Sequence, residues 1–265
     1  MKNFKFLIVL PYYNRPKMLR NCLKTFLESS YDNWHIAVID DVSDEDKKAK
    51  PILEEVFPTG TLESVRYTLY DVDDTRENKE RRGSIHSTYM NKAMREIDAD
   101  YVITIGDDDG IFDNYLYDLN EFYNQNPEVV YSFAHIIPYD STSELPCYET
   151  FEKRKKEIRE TGKWRDFNSD SWIHVNHTQG MPPVDVLDGT QVSWDRKKVL
   201  DAGVEYNEEV MFNCDREIFT KLFREFGVCH YNKCVGPYKG FHGDQMGVRE
   251  RQGRSKFDIE GDFNE

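Results

Sequence analysis

The chain has no apolar run of membrane-spanning length, no CxxC pair, no glycine-rich phosphate loop and no excess of positive charge. Each absence removes a class of function. Without about 20 consecutive apolar residues there is no sequence case for a transmembrane helix. The N-terminus has a basic start and a short apolar stretch, but Pro11, Tyr12, Tyr13 and Asn14 follow where a signal peptide would need a longer core and a cleavage site. The five cysteines, Cys22, Cys147, Cys214, Cys229 and Cys234, form an odd set. Cys229 and Cys234 flank His230 without a second ligand pair at zinc-finger spacing, so free thiols of a reducing compartment are expected. Neither GxGxxG nor GxxxxGKS/T follows the first apolar run, which argues against an NAD-dependent or P-loop enzyme. A net charge of −14 disfavours nucleic acid or an anionic membrane as a bulk partner. The expectation is a soluble, cytoplasmic chain without a nucleic-acid partner.

What is present suits one large domain. Hydrophobic residues make up 38% of the chain, enough for a core, and the 14% aromatic share helps to fill it. Phe4–Leu10 is an apolar run of strand length that stops at Pro11, and Pro16 sits where a first helical turn tolerates it. Met18, Leu19, Cys22, Leu23, Phe26 and Leu27 then repeat at helical spacing. Trp34–Ile39 reads as a second strand, ending in Asp40 and Asp41, and a second helix interrupted by Pro51 carries Ile52, Leu53, Val56 and Phe57. A third strand over Val65–Tyr70, a helix marked by Ile85, Tyr89, Ala93, Met94 and Ile97, a helix with Tyr115, Leu116 and Leu119, and a strand over Val129–Phe133 follow. Regularity weakens over Pro138–Asp185, where the charged segment Glu152–Arg165 reads as a solvated helix or loop. It returns at Val186–Trp194, with helices over Lys197–Ala202 and Asp215–Phe226 that stop at Gly203 and Gly227. This alternation predicts an α/β fold, with a central, mostly parallel sheet flanked by helices.

In such sheets ligands bind beyond the carboxyl ends of the strands. Pro11–Asn14, Asp40–Asp44 and Asp107–Asp109 all fall at expected strand ends. The last is the most informative, because the apolar Val102, Ile103 and Ile105 run into three consecutive aspartates and then Gly110. Adjacent carboxylates repel one another and supply the oxygen ligands that hard divalent cations want. The plainer reading is an acidic solvated turn. An EF-hand loop fails on spacing, since Ile105 and Leu116 would occupy its two end ligand positions.

Four stretches carry a family resemblance: LPYYNRPKMLRNCLKTFL, WHIAVIDDVSD, the segment from Asn91 to the IGDDD cluster, and GTQVSWDRKKVLDAGV with NCDREIFTKLFREFG. In this order and spacing the chain resembles glycosyltransferases of the GT-A fold, family 2 type. The resemblance implies a single GT-A domain over 1–243, divided into a nucleotide-sugar-binding half (1–137) and an acceptor-binding half (138–243), with a C-terminal tail over 244–265. It implies an inverting transfer of a sugar from a nucleotide-diphosphate donor, UDP-linked by default and dTDP-linked next, to a hydroxyl of a glycan or lipid-linked glycan. By the same resemblance Pro11 and Tyr13 line the nucleotide base and Asp41 accepts a hydrogen bond from it, while Arg81 or Arg82 reaches the diphosphate or base. Asp107 and Asp108 contact the donor. Mn2+ or Mg2+ is held by Asp108 and Asp109 with His242. Asp215 is the general base, with Glu217 as the fallback.

Two departures from the family pattern stand out. Gly106 falls where relatives often have the first acid of the metal motif, which matches Asp108 to the principal ligand, while a one-residue shift would promote Asp109 instead. Cys214 replaces the acid that usually precedes the catalytic residue. Asp188 and Gly189 are expected to border the sugar and acceptor pocket. The rival readings are a nucleotidyltransferase, which would need glycine in the stretch Pro11–Lys17, and a non-catalytic nucleotide- or glycan-binding protein on the same fold.

Overall fold

Strand β1 (Phe6–Tyr12) is apolar at nearly every position because both of its faces are covered. Phe6, Ile8, Leu10 and Tyr12 point into one core cluster, Leu7 and Val9 into the other. The computed structural model describes residues 1–75, 77–78, 86–140, 188–209 and 214–241. Within them the order is β1, α1 (Pro16–Leu27), β2 (Trp34–Asp40), α2 (Ala49–Val56), β3 (Tyr67–Asp71), α3 (His86–Glu96), β4 (Tyr101–Thr104), β5 (Gly110–Ile111), α4 (Tyr115–Gln125), β6 (Tyr131–Asp140), β7 (Val192–Asp195), α5 (Arg196–Asp201), α6 (Cys214–Phe226) and β8 (His230–Phe241).

The eight strands form one sheet in the order β3-β2-β1-β4-β7-β6-β8-β5. The β1–β2, β2–β3, β1–β4 and β6–β8 pairs are parallel, and β4–β7, β6–β7 and β5–β8 are antiparallel. Helices α1, α2 and α4 cover one face through residues such as Leu19, Leu23, Ile52, Leu53, Leu116 and Leu119. Helices α3, α5 and α6 cover the other through Met90, Met94, Val199, Ile218, Phe219 and Leu222. The α/β sandwich expected from the alternation is therefore present.

Three local expectations change. β1 runs through Pro11 to Tyr12, because its ladder with β4 has already ended at Val9–Thr104 and one side of the strand no longer needs an N–H. Pro51 begins α2 rather than interrupting it: it lies in the first turn, where the N–H has no partner within the helix. β6 extends from Tyr131 to Asp140, well past Phe133, and β8 was not anticipated at all. The charged segment 152–165, the rest of 141–187, and the tail 244–265 lie outside the described residues. Among the described residues no helix is long and apolar enough to cross a membrane, and Cys22, Cys214, Cys229 and Cys234 are free thiols.

Candidate active site

The chain leaves β1 for β2 and β3 on one side, and β4 then joins β1 on the other. The crevice of such a sheet opens at this reversal, at the carboxyl ends of β1 and β4. Tyr13, just after β1, donates its backbone N–H to Asp107 Oδ2 at 3.3 Å. Arg15 donates from Nη1 to Asp107 Oδ1 at 2.8 Å, and the same nitrogen stands 3.7 Å from Asp108 Oδ2. The turn that presents Tyr13 and Arg15 is fixed by Asn14, a residue with positive φ (55°). Its amide donates to Asp44 Oδ2, while the Asp44 N–H donates to Asn14 Oδ1.

The antiparallel strands bring the other wall. Because β7 runs against β4, with Ile103 opposite Ser193, the turn that precedes β7 returns to the carboxyl end of β4. That turn, Gly189–Gln191, is closed by Asp188, whose side chain accepts the Thr190 N–H. The Thr190 hydroxyl lies 2.7 Å from both Asp109 Oδ2 and Asp188 Oδ1. The pairing of Gly110 with Tyr238 places Lys239 alongside, where Nζ donates to Asp109 Oδ2 at 3.0 Å and stands 3.5 Å from Asp188 Oδ2. Burial pushes the carboxyl pKa of Asp107 and of Asp109 up, Asp108 adds to both, and Arg15 and Lys239 oppose it.

Gly106 explains how these groups come so close. A Cβ there would stand 2.7 Å from Asp108 Oδ1 and 2.9 Å from Asp109 Oδ2, so the two carboxylates fold into space that a side chain would fill. The Gly106 N–H also donates to Asp109 Oδ2, at 3.3 Å. In this arrangement a side chain at position 106 has no room.

At the end of β2 the two aspartates divide their work. Asp40 is fully structural, accepting the Ser43 N–H on Oδ1 and the Ala49 N–H on Oδ2 at 3.0 and 2.8 Å. Asp41 is buried beside His86, and the next residue, Val42, holds φ at 62°, a left-handed conformation that a β-branched residue rarely adopts. Asp41 Oδ2 lies 3.4 Å from Nδ1 of His86, the first residue of α3, and Nε2 of His86 lies 3.7 Å from the Cys214 Sγ. Burial lowers the pKa of His86, but the Asp41 carboxylate and Cys214 outweigh it and hold the imidazole up at about 10.

Asp215 lies one residue inside the first turn of α6, and its Oδ1 accepts the adjacent Arg216 N–H at 2.8 Å. A Cβ on Gly189 would stand 3.7 Å from the Asp215 Cβ, so Asp215 borders the same turn that grips Asp109. Burial raises its pKa, Asp188 adds to this, and the Arg216 N–H and Lys239 work against it. Glu217, the fallback base, is turned away: its Oε1 accepts from Asn207 Nδ2 at 2.9 Å.

Of the residues expected from sequence, Tyr13, Asp107, Asp108, Asp109 and Asp215 converge on this crevice. Pro11 lies at its floor in β1, and Asp41 is on the neighbouring strand end. Arg81, Arg82 and His242 lie outside the described residues. Sequence reasoning missed Arg15, Thr190, Lys239 and His86. Arg15 and Lys239 had one signal, a cation within three residues of a segment already assigned to the site.

The donor set suits Mg2+ or Mn2+ in chemistry. Five carboxylates (Asp107, Asp108, Asp109, Asp188, Asp215) face two cationic side chains (Arg15, Lys239), and two of them fold together over Gly106. Among the described residues, however, no three His, Cys, Asp or Glu side chains already surround a metal position.

The model of glycosyl transferase family 2 matches residues 7–177, and the chain belongs to that family. No curated protein sequence matches it. Among solved structures, S. aureus TarS 1–349 in complex with UDP-GlcNAc is similar at 13% identity and a TM-score of 0.62, over 89% of this chain and 58% of that one. The mannosyltransferase PcManGT from Pyrobaculum calidifontis, in complex with GDP-Man and Mn2+, is similar at 13% identity and a TM-score of 0.62, over 90% and 57%. The chain thus spans less than two thirds of the length of these relatives, and the likeness establishes the GT-A fold.

Proposed function

We propose that this family 2 chain is an inverting glycosyltransferase that moves a sugar from a nucleotide-diphosphate donor to a hydroxyl of a glycan or lipid-linked glycan, in polysaccharide biosynthesis. The observation that carries the reading is that Asp109 and Asp215 border one turn, Asp188–Gln191, at the mouth of the β1–β4 crevice. In this reading the two carboxylates, one at the diphosphate station and the other a half-buried base, stand on one wall. The TarS and PcManGT complexes, with a UDP-sugar and a GDP-sugar, support a nucleotide sugar as the donor class.

In this reading Tyr13 and Pro11 line the nucleotide base, and Asp41 accepts a hydrogen bond from it. Asp107 and Asp108 orient the donor, with Arg82 completing the contact from outside the described residues. Arg15 and Lys239 keep Asp107 and Asp109 in place through their ion pairs. The Asp215 carboxylate takes the proton of the acceptor hydroxyl as its oxygen attacks the anomeric carbon. The bond from that carbon to the diphosphate oxygen breaks on the opposite face, its electron pair leaves with the nucleoside diphosphate, and the configuration inverts. Asp108 and Asp109, with His242, would hold Mn2+ or Mg2+, which would neutralise charge on the leaving diphosphate. The charge balance favours such a cation: five carboxylates face two cationic side chains there, so an anionic donor enters more readily with added positive charge.

Asp215→Asn tests the reading, because it keeps the shape and removes the base. Transfer should fall by about 100-fold or more while UDP binding in Mn2+ stays within about twofold of wild type. Turnover at the wild-type rate would mean that Asp215 is not the base.

A further inference from the structure

Nothing in the transfer chemistry requires the contact between His86 and Asp41, yet both ends of the imidazole are held. Nδ1 faces Asp41 Oδ2 at 3.4 Å and Nε2 faces the Cys214 Sγ at 3.7 Å. The ring is enclosed, with only 16% of its side chain exposed, and so is the Asp41 carboxylate at 7%. A ring anchored at two points and largely buried cannot swing away without leaving buried polar groups unpaired.

The consequence falls on the nucleotide base. Uracil and thymine present a single N–H, at N3, between two carbonyl oxygens. Guanine presents two adjacent donors, N1–H and the 2-amino group, which match both oxygens of a carboxylate. Because His86 already engages Oδ2, a two-pronged guanine contact would have to break that interaction. It would also bring the amino group against an N–H of the imidazole. A pyrimidine meets the opposite situation, since a carbonyl beside its N3–H faces the imidazole N–H and is attracted by it.

We propose that His86 is a specificity-determining residue of the donor site, holding one oxygen of Asp41 so that the pocket takes a uracil or thymine nucleotide and rejects guanine. The proposal rests on the donor reading given above and narrows it to pyrimidine nucleoside diphosphates. Cys214, which stands where the family pattern has an acid, serves here as the second tether of the ring.

Calorimetric titration with UDP, dTDP and GDP in the presence of Mn2+ tests this on wild type, His86→Ala and His86→Asn. Asparagine can place an amide N–H near the Nδ1 position, so it separates the hydrogen bond from the bulk of the ring. Wild type should bind UDP or dTDP at least about tenfold more tightly than GDP, the size expected for one hydrogen bond to a charged group. His86→Ala should narrow that ratio severalfold and His86→Asn should keep most of it. GDP binding as tight as UDP binding in wild type, or an unchanged ratio in His86→Ala, overturns the proposal and leaves the donor reading standing. If His86→Ala does not fold, the wild-type ratio and the retention of that ratio in His86→Asn decide the matter alone. Binding of none of the three diphosphates overturns the donor reading itself, and the proposal with it.

Discussion

Gly106→Ala is the sharpest perturbation the geometry offers. A methyl group there would stand 2.7 Å from Asp108 Oδ1 and 2.9 Å from Asp109 Oδ2. Ordinary contacts begin near about 3.5 Å, so each carboxylate must retreat by about half an ångström or more. Asp109 cannot retreat alone, because its Oδ2 is shared by the Gly106 N–H, the Thr190 hydroxyl and the Lys239 ammonium. Moving it weakens at least one charge-assisted bond, worth about 1.5–3 kcal/mol. A misplacement of that size in a catalytic arrangement costs about 10- to 100-fold in rate. The fold should be largely spared, since both carboxylates are held by polar and cationic groups of the site rather than packed in the apolar clusters. The assay is calorimetry of UDP with and without Mn2+, beside a transfer assay and a thermal melt. The expected pattern is a melting midpoint within a few degrees of wild type and a clear loss of Mn2+-dependent affinity and turnover. A Gly106→Ala protein with wild-type affinity and rate would refute the claim that these two carboxylates work from their positions over Gly106.

Three further outcomes follow from the same geometry. Lys239→Met removes the cation that helps Asp215 ionise, so the acidic limb of the pH dependence of kcat/KM should move to higher pH; an unmoved limb would separate Lys239 from the base. The raised His86 pKa contributes stability that is fully present below about pH 6.5 and is lost as the pH rises through about 10. The stability advantage of wild type over His86→Asn, measured by urea unfolding, should therefore shrink between pH 7 and 10. Val42→Gly relieves a positive φ of 62° and should change stability by no more than about 1 kcal/mol in either direction, because relieved strain offsets the lost packing against the core; a much larger loss would show that packing dominates.

β1, β2 and β4 were legible because parallel strands buried on both faces leave an apolar signature, and each ended in a polar cluster. β8 was hidden because Gly236, Pro237 and Gly240 interrupt its pattern, although backbone pairing with β6 and β5 carries it through all three. The site followed the same division. Asp41, Asp107, Asp108 and Asp109 could be found because a strand end announces them. Thr190 and Lys239 arrive through antiparallel pairings to β4 and β5, which local spacing does not encode. His86 was missed for another reason. It opens α3 with no apolar periodicity of its own, and its meaning comes only from Asp41 and Cys214, which are 45 and 128 positions away.

These late-arriving groups change what the aspartate cluster is. Three adjacent carboxylates at a strand end suggest a bare metal trap, but Arg15 and Lys239 already bind two of them, one from each side of the sheet's reversal point. The cluster is therefore held in shape before any donor arrives, which is what electrostatic stabilisation of a leaving group requires. Lys239 also acts beyond Asp109: it stands 3.5 Å from Asp188, and its charge favours the ionised form of Asp215. Under the proposed function, the diphosphate station and the acceptor's base thus share one ammonium group. On that reading, whatever displaces Lys239 from Asp109 also alters the field at Asp215, so donor occupancy and the basicity of the proposed base are linked through a single side chain.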